Sequence, residues 1–251
     1  MNVGTRVGDS NLRKPWEYVG VTGGNGNVRA GDSENKCESR RRNNMIGFYN
    51  YTVIPTYIGL ASSVLGIFIA IQGEHPFLSI VCLLFSGLCD MYDGKIARTR
   101  SSTNQEKRFG IQIDSLSDLV CFGVLPVIIA YSIGLRYWYY ILIYVFYVLM
   151  AVIRLGYFNV LEEERQKETA ETRKHFTGVP VTSAALIFPL VFGLKVLIEE
   201  FMPYLFVFAL VVTGVLFVVN IKVKKPQGRG MYVVLGVGIL AFILLVLCTV
   251  L

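Results

Sequence analysis

Charge is scarce in this chain of 251 residues, where 17% of positions are Asp, Glu, Lys or Arg and only two are histidine. The five cysteines, at 37, 82, 89, 121 and 248, show no C-x-x-C spacing, so neither a disulfide framework nor a zinc finger organises the chain. Four of them fall in apolar stretches, where a free thiol packs as a small hydrophobe. No internal repeat is visible. The first 44 residues contain no apolar core ahead of a small-residue cleavage site, so they are not expected to act as a secretory signal. Rich in glycine, asparagine and charge ("VTGGNGNVRAGDSENK"), they read as a disordered cytoplasmic tail, with the functional chain starting near Met45.

What the chain has in abundance is hydrocarbon. Residues of the hydrophobic set make up 53%, 16 are phenylalanine, and the mean hydropathy is +0.52, more than a soluble domain of this length carries. Windows of about 19 residues give roughly seven spans, near 51–72, 76–97, 111–133, 137–157, 179–198, 203–221 and 230–251. Each must be helical, because isolated strands in lipid leave backbone groups unpaired. The fold class expected is therefore all-α, a polytopic membrane bundle. Residues 45–222 would form one membrane domain and 223–251 an additional C-terminal span. Met45 to Ile54 fits an interfacial segment before Pro55 opens the first span, and "LEEERQKETAETRKHF" suggests a solvated extension of the fourth.

Orientation follows from the 24 lysines and arginines. With the N-terminus cytoplasmic, that side receives Arg40 to Arg42, the loop with Arg100, Lys107 and Arg108, the loop from Arg165 to Lys174, and Lys222, Lys224, Lys225 and Arg229. The far side keeps Arg136 and Lys195, with the aromatic run "RYWYY" as its interfacial belt. The pI near 9.0 thus reflects topology and contact with anionic membrane lipids, not nucleic-acid binding.

Against this background four aspartates stand out. Asp90 and Asp93 are three apart and share a helix face, with Gly87, Gly94 and Ala97 on or beside it; Asp114 and Asp118 are four apart on the next span. Each carboxylate at mid-membrane costs about 2.5 to 3.5 kcal/mol, so four would cost on the order of 10 kcal/mol, less near the interface. Lys95 and Arg98 are too few to neutralise them, whereas divalent cations would. A carboxylate-rich set suits hard ions, Mg²⁺, Mn²⁺ or Ca²⁺, and no histidine or cysteine is expected close enough to suggest zinc. A pair of such ions would clamp a phosphate during a displacement.

The string Asp90-x-x-Asp93-Gly94-x-x-Ala97-Arg98, then Gly110-x-x-x-Asp114-x-x-x-Asp118, resembles the signature of the CDP-alcohol phosphotransferases, membrane enzymes of phospholipid synthesis. Eleven residues separate Arg98 from Gly110, against the family's usual eight, which lengthens an exposed loop. The resemblance implies a six-helix core over roughly 50–222, commonly dimeric with a second copy of itself. It implies that Asp90, Asp93, Asp114 and Asp118 hold the metals, with Asp118 also the general base. Gly94, Ala97, Arg98 and Gly110 would line the cytidine diphosphate pocket, and Thr56 would lie beside the nucleotide, although the asparagine usually found three residues earlier is Val53 here.

Within the family, "FGVLPVIIAYSIG", "RLGYFNV" and "TGVPVTSAALIFPL" look most like the membrane-embedded phosphatidylserine synthases. The implied reaction converts CDP-diacylglycerol and L-serine to phosphatidylserine and CMP at a site facing the cytoplasm. Arg154, an arginine in the apolar fourth span, either snorkels to headgroups or binds the serine carboxylate or lipid phosphate as a planar fork, with Asn159 and Lys174 nearby. Other readings stay open: another acceptor such as glycerol 3-phosphate or inositol, an archaeal-type lipid donor, or a cation transporter that gathers aspartates along a conduction path.

Overall fold

The computed structural model describes residues 51–73, 75–96, 103–168, 175–196, 198–220, 222–224, 236–243 and 245–246. The expected tail over 1–44 and the start of the interfacial segment lie outside the described residues. So do three of the site residues expected from the sequence, Ala97, Arg98 and Lys174.

A 3-10 turn, Tyr51–Val53, leads into α1, Ile54–Gln72, with Pro55 in the first turn where no N–H is needed. The buried residues of α1 are Thr56, Gly59, Ser63, Gly66 and Ala70, a stripe of small side chains at helical spacing. In lipid, helices gain little by hiding hydrocarbon from hydrocarbon, so association depends on close packing and interhelical hydrogen bonds, which small residues permit. The stripe meets α2, Pro76–Ile96. A Cβ on Gly59 would lie 3.1 Å from Cys89 Cβ, and one on Gly66 2.9 Å from Cys82 Cβ. Ser63 Oγ and Ser86 Oγ are 2.7 Å apart, and Ser86 Oγ is 2.8 Å from the Gly59 carbonyl. Leu65, Phe68 and Ile71, on the other side, are exposed where lipid would lie. Gly73 closes α1 in a left-handed conformation, φ 77°, its N–H returning to Ile69 and Ala70.

α3, Asn104–Asp118, starts ahead of the 111 expected from hydropathy. The cause is local: the Glu106 N–H donates to Thr103 Oγ1 at 3.3 Å and the Thr103 N–H to Glu106 Oε2 at 2.8 Å, a reciprocal cap on a polar first turn. The helix runs on through a π-helical segment, Leu119–Val124, into α4, Leu125–Ser132. α5, Trp138–Glu168, carries its apolar span into the charged extension expected from the sequence. α6, Ala184–Gly193, and α7, Met202–Val218, follow; helical residues 236–243 and 245–246 place Gly238 against Leu186 of α6, 3.7 Å from its would-be Cβ.

Four helices, Tyr51–Gln72, Pro76–Ile96, Gln105–Ser132 and Trp138–Glu164, are long and apolar enough to cross a membrane, and Val181–Gly193 and Met202–Val218 are shorter apolar helices. The bundle is helical as expected, with one addition. β1, His175–Thr177, pairs antiparallel with β2, Lys222–Lys224, in the register Phe176 to Val223. These segments flank the apolar helices, where two extended backbones satisfy each other's polar groups. The core is aromatic: Tyr147, Phe188, Phe206 and Phe217 are all under 2% exposed. Gly214 lets α7 close on α5, since a Cβ there would lie 3.1 Å from the Phe146 ring.

Candidate functional site

The two acidic pairs face each other. Carboxylate oxygens of Asp90 and Asp93, in the last turns of α2, and of Asp114, near the end of α3, all lie within 4.8 Å of one another. Asp118 stands outside that trio but faces Asp90 and lines the same small cavity, with Thr56, Asp93, Ser117 and Cys121. Three carboxylates thus gather as one group, with the fourth one helical turn further into the bundle.

Their orientation is set from α1. Thr56 Oγ1 donates to Asp93 Oδ2 at 3.1 Å, and Ser117 Oγ donates to the Thr56 carbonyl at 3.4 Å. Thr56, expected beside the nucleotide, therefore fixes the rotamer of an acidic side chain. Partners that orient ligands typically contribute 10–100-fold to metal affinity. Thr56→Val should weaken Mn²⁺ binding by about that factor while Thr56→Ser retains it, measured by titration of the purified protein.

A Cβ on Gly94 or Gly110 would meet nothing within 4 Å. Gly87 differs. Its Cβ would sit 2.3 Å from Ala185 Cβ, so this glycine serves the packing of α2 on α6. Asn159 is tied to α3 at Ser115, next in sequence to Asp114, whose hydroxyl donates to Asn159 Oδ1 at 2.6 Å. Arg154 does not snorkel outward; it is 5% exposed, its Nε donates to the Val179 carbonyl at 3.2 Å, and its guanidinium lies 5.6 Å from the Phe158 ring centre. It grips the segment after β1, where Gly178 has φ 81° and would bring a Cβ to 3.3 Å from the Phe217 and Val219 carbonyls.

Hydropathy and motif reading overlooked Ser115, Ser117 and the thiols. Cys89 does line the cavity, contrary to the expectation that no cysteine lies near, yet its sulfur is not in the set that converges within 4.8 Å. The convergent set is all carboxylate. Oxygens opposite each other around Mg²⁺ are about 4.2 Å apart, and around Ca²⁺ up to about 5 Å, so the trio's spacing suits a hard divalent cation. Among the described residues no lysine or arginine forms an ion pair with these carboxylates. The trio is a group that could hold such a cation.

Residues 49–219 match the model of the CDP-alcohol phosphatidyltransferase family. The chain belongs to this family. Among curated relatives, a CDP-diacylglycerol–serine O-phosphatidyltransferase of Saccharomyces cerevisiae is 35% identical over 138 residues, covering 53% of this chain and 47% of the yeast protein. An archaetidylserine synthase of Methanothermobacter thermautotrophicus is 30% identical over 185 residues, 72% of this chain and 73% of the relative. A CDP-diacylglycerol–serine O-phosphatidyltransferase of Helicobacter pylori is 31% identical over 184 residues, 68% and 69% of the two chains. The chain thus spans about half of the yeast relative and more than two thirds of the other two. Asp90, Asp93, Asp114 and Asp118 all fall within the matched residues, and three of them converge.

Proposed function

We propose that this family member is a phosphatidylserine synthase, which transfers the phosphatidyl group of CDP-diacylglycerol to the hydroxyl of L-serine and releases CMP. The observation that carries the proposal is the convergence of Asp90, Asp93 and Asp114 from two adjoining helices beside glycines with open space above them. Serine is favoured as acceptor because the named relatives differ in lipid but share serine in their products.

In this reading Asp90, Asp93 and Asp114 hold Mg²⁺ or Mn²⁺, two ions with Asp118 as a further ligand; Ca²⁺ would also suit the donor set. When bound, the ions would offset the pyrophosphate charge and stabilise the departing CMP. The chain's own residues do the rest. Gly94 and Gly110, with Ala97 and Arg98, admit and grip the cytidine diphosphate. Asp118 accepts the serine hydroxyl proton as oxygen bonds to phosphorus and the bond to CMP breaks. Asn159, tied beside Asp114, and Arg154, with Lys174, receive the serine carboxylate or lipid phosphate. The site faces the cytoplasm, as the distribution of basic loops suggests, and the enzyme works as a homodimer in the membrane.

The test is a comparison of acceptors and donors. Proteoliposomes given CDP-diacylglycerol or CDP-archaeol, Mn²⁺ or Mg²⁺, and labelled serine, glycerol 3-phosphate or inositol should form phosphatidylserine at least about tenfold faster than any other product, the low end of what a substrate pocket achieves. A dominant product with another alcohol would replace serine in the proposal. Cation flux without CMP release would replace the enzyme by a transporter.

A further inference from the structure

The helix that delivers Asp114 and Asp118 changes character immediately after Asp118. Leu119–Val124 is π-helical, and the Leu125 N–H reaches back five residues to the Val120 carbonyl. Such wide turns are rare and need support, because they loosen the ladder that a membrane helix relies on. Pro126 follows within the first turn of α4 and has no N–H. The Phe122 carbonyl, four residues before it, therefore lacks its α-helical donor. Phe122 itself is 1% exposed, so neither water nor a headgroup is at hand.

The donor comes from another helix. Tyr147, on α5, is 0% exposed, and its hydroxyl donates to the Phe122 carbonyl at 2.7 Å. Its ring is held edge-on to Phe188, with centroids 5.8 Å apart and planes at 81°, and tilted against Phe217 at 5.6 Å. The hydroxyl thus gives the carbonyl a donor where Pro126 offers none, and the carbonyl gives the buried hydroxyl an acceptor. Phe122 and Asp118 line the same cavity, as do Asp90 and Asp93. Whatever fixes the Phe122 backbone also fixes the turn on which Asp118 stands.

We infer that Tyr147 is a positioning residue for the reaction: its hydroxyl holds the π-helical turn through the Phe122 carbonyl and so sets where the Asp118 carboxylate points. The inference rests on the reading of Asp118 as proton acceptor. Tyr144 supplies the control, because its hydroxyl makes the same kind of buried bond, 2.7 Å to the Leu135 carbonyl in the turn between α4 and α5.

The experiment uses the full chain in proteoliposomes and compares wild type, Tyr147→Phe, Tyr144→Phe and the double variant Tyr147→Phe/Pro126→Ala. Tyr147→Phe should lower kcat about ten- to a hundredfold with KM for CDP-diacylglycerol held within about twofold, since a misplaced group loses the reactive geometry more than binding. Tyr144→Phe should melt at a similarly reduced temperature with kcat near wild type. Pro126→Ala restores an N–H four residues after Phe122, so the double variant should regain thermal stability without regaining kcat, because an α-helical bond closes the wide turn. Equal kcat in the two single variants, or recovery of kcat in the double variant, would overturn the inference. Hydrogen exchange over 119–125, faster in Tyr147→Phe and unchanged in Tyr144→Phe, judges the clasp without turnover. Failure of the wild type to make phosphatidylserine would instead reject the reaction, while unaltered exchange in Tyr147→Phe would reject the clasp alone.

Discussion

Exchanging Asp114 for asparagine should lower CMP release by about a thousandfold or more, beyond the 10–100-fold that changes around a metal's ligands cause, and should abolish tight Mn²⁺ binding in the same protein. The expectation follows from the trio: removing one of three carboxylates within 4.8 Å of one another leaves a pair that cannot close around a small hard ion. Without metal the same variant should melt higher than wild type, because one of three mutually repelling carboxylates has gone. Asp118→Asn separates binding from chemistry. Loss of the proposed general base should reduce turnover by about 10² to 10⁴, while the Mn²⁺ held by Asp90, Asp93 and Asp114 persists and only the second ion weakens. Calorimetric titration of Mn²⁺ alongside CMP release reads both. Mn²⁺ affinity that survives in Asp114→Asn would remove the ligand role from the trio; affinity lost equally in Asp118→Asn would make Asp118 a ligand before it is a base.

How far the chain discloses this arrangement depends on the range of the interaction concerned. Asp90 with Asp93, and Asp114 with Asp118, are visible because helical spacing is local and because a carboxylate in an apolar run demands a partner. Span boundaries are equally local, and the start that moved furthest, at Asn104, was spelled out by Thr103 and Glu106 for a reader of caps rather than of hydropathy. The small residues of α1 from Gly59 to Ala70 likewise mark a packing face. Beyond that range the sequence is silent. The Tyr147 hydroxyl reaches a carbonyl 25 positions away, and the only trace of that need is a proline. Arg154 could snorkel or turn inward with the same neighbours in sequence; the Val179 carbonyl decides it. The two short strands, three residues each and 47 apart from His175 to Lys222, have no pattern long enough to detect.

Gly87 and Gly94 show the same limit and yield the sharpest contrast in stability. They are seven residues apart on α2, about two turns, and so lie on one face. Gly87 is opposite Ala185, in the first turn of α6, where a Cβ would come within 2.3 Å of another Cβ and the helices would have to part. Gly94 projects past the end of that contact into open space. Gly87→Ala should therefore destabilise the bundle by about 1–3 kcal/mol, as overpacking does, with turnover per folded molecule little changed. Gly94→Leu should leave the melting temperature within the scatter of surface substitutions, about 0.5 kcal/mol, yet raise KM for CDP-diacylglycerol at least about tenfold, since the loss of close approach is felt by the ligand alone. Thermal unfolding and KM measured on the same preparations decide the matter. A Gly94→Leu protein that melts early with an unchanged KM would show that the open face serves the fold; a Gly87→Ala protein that is stable with a raised KM would move the nucleotide up the helix toward α6.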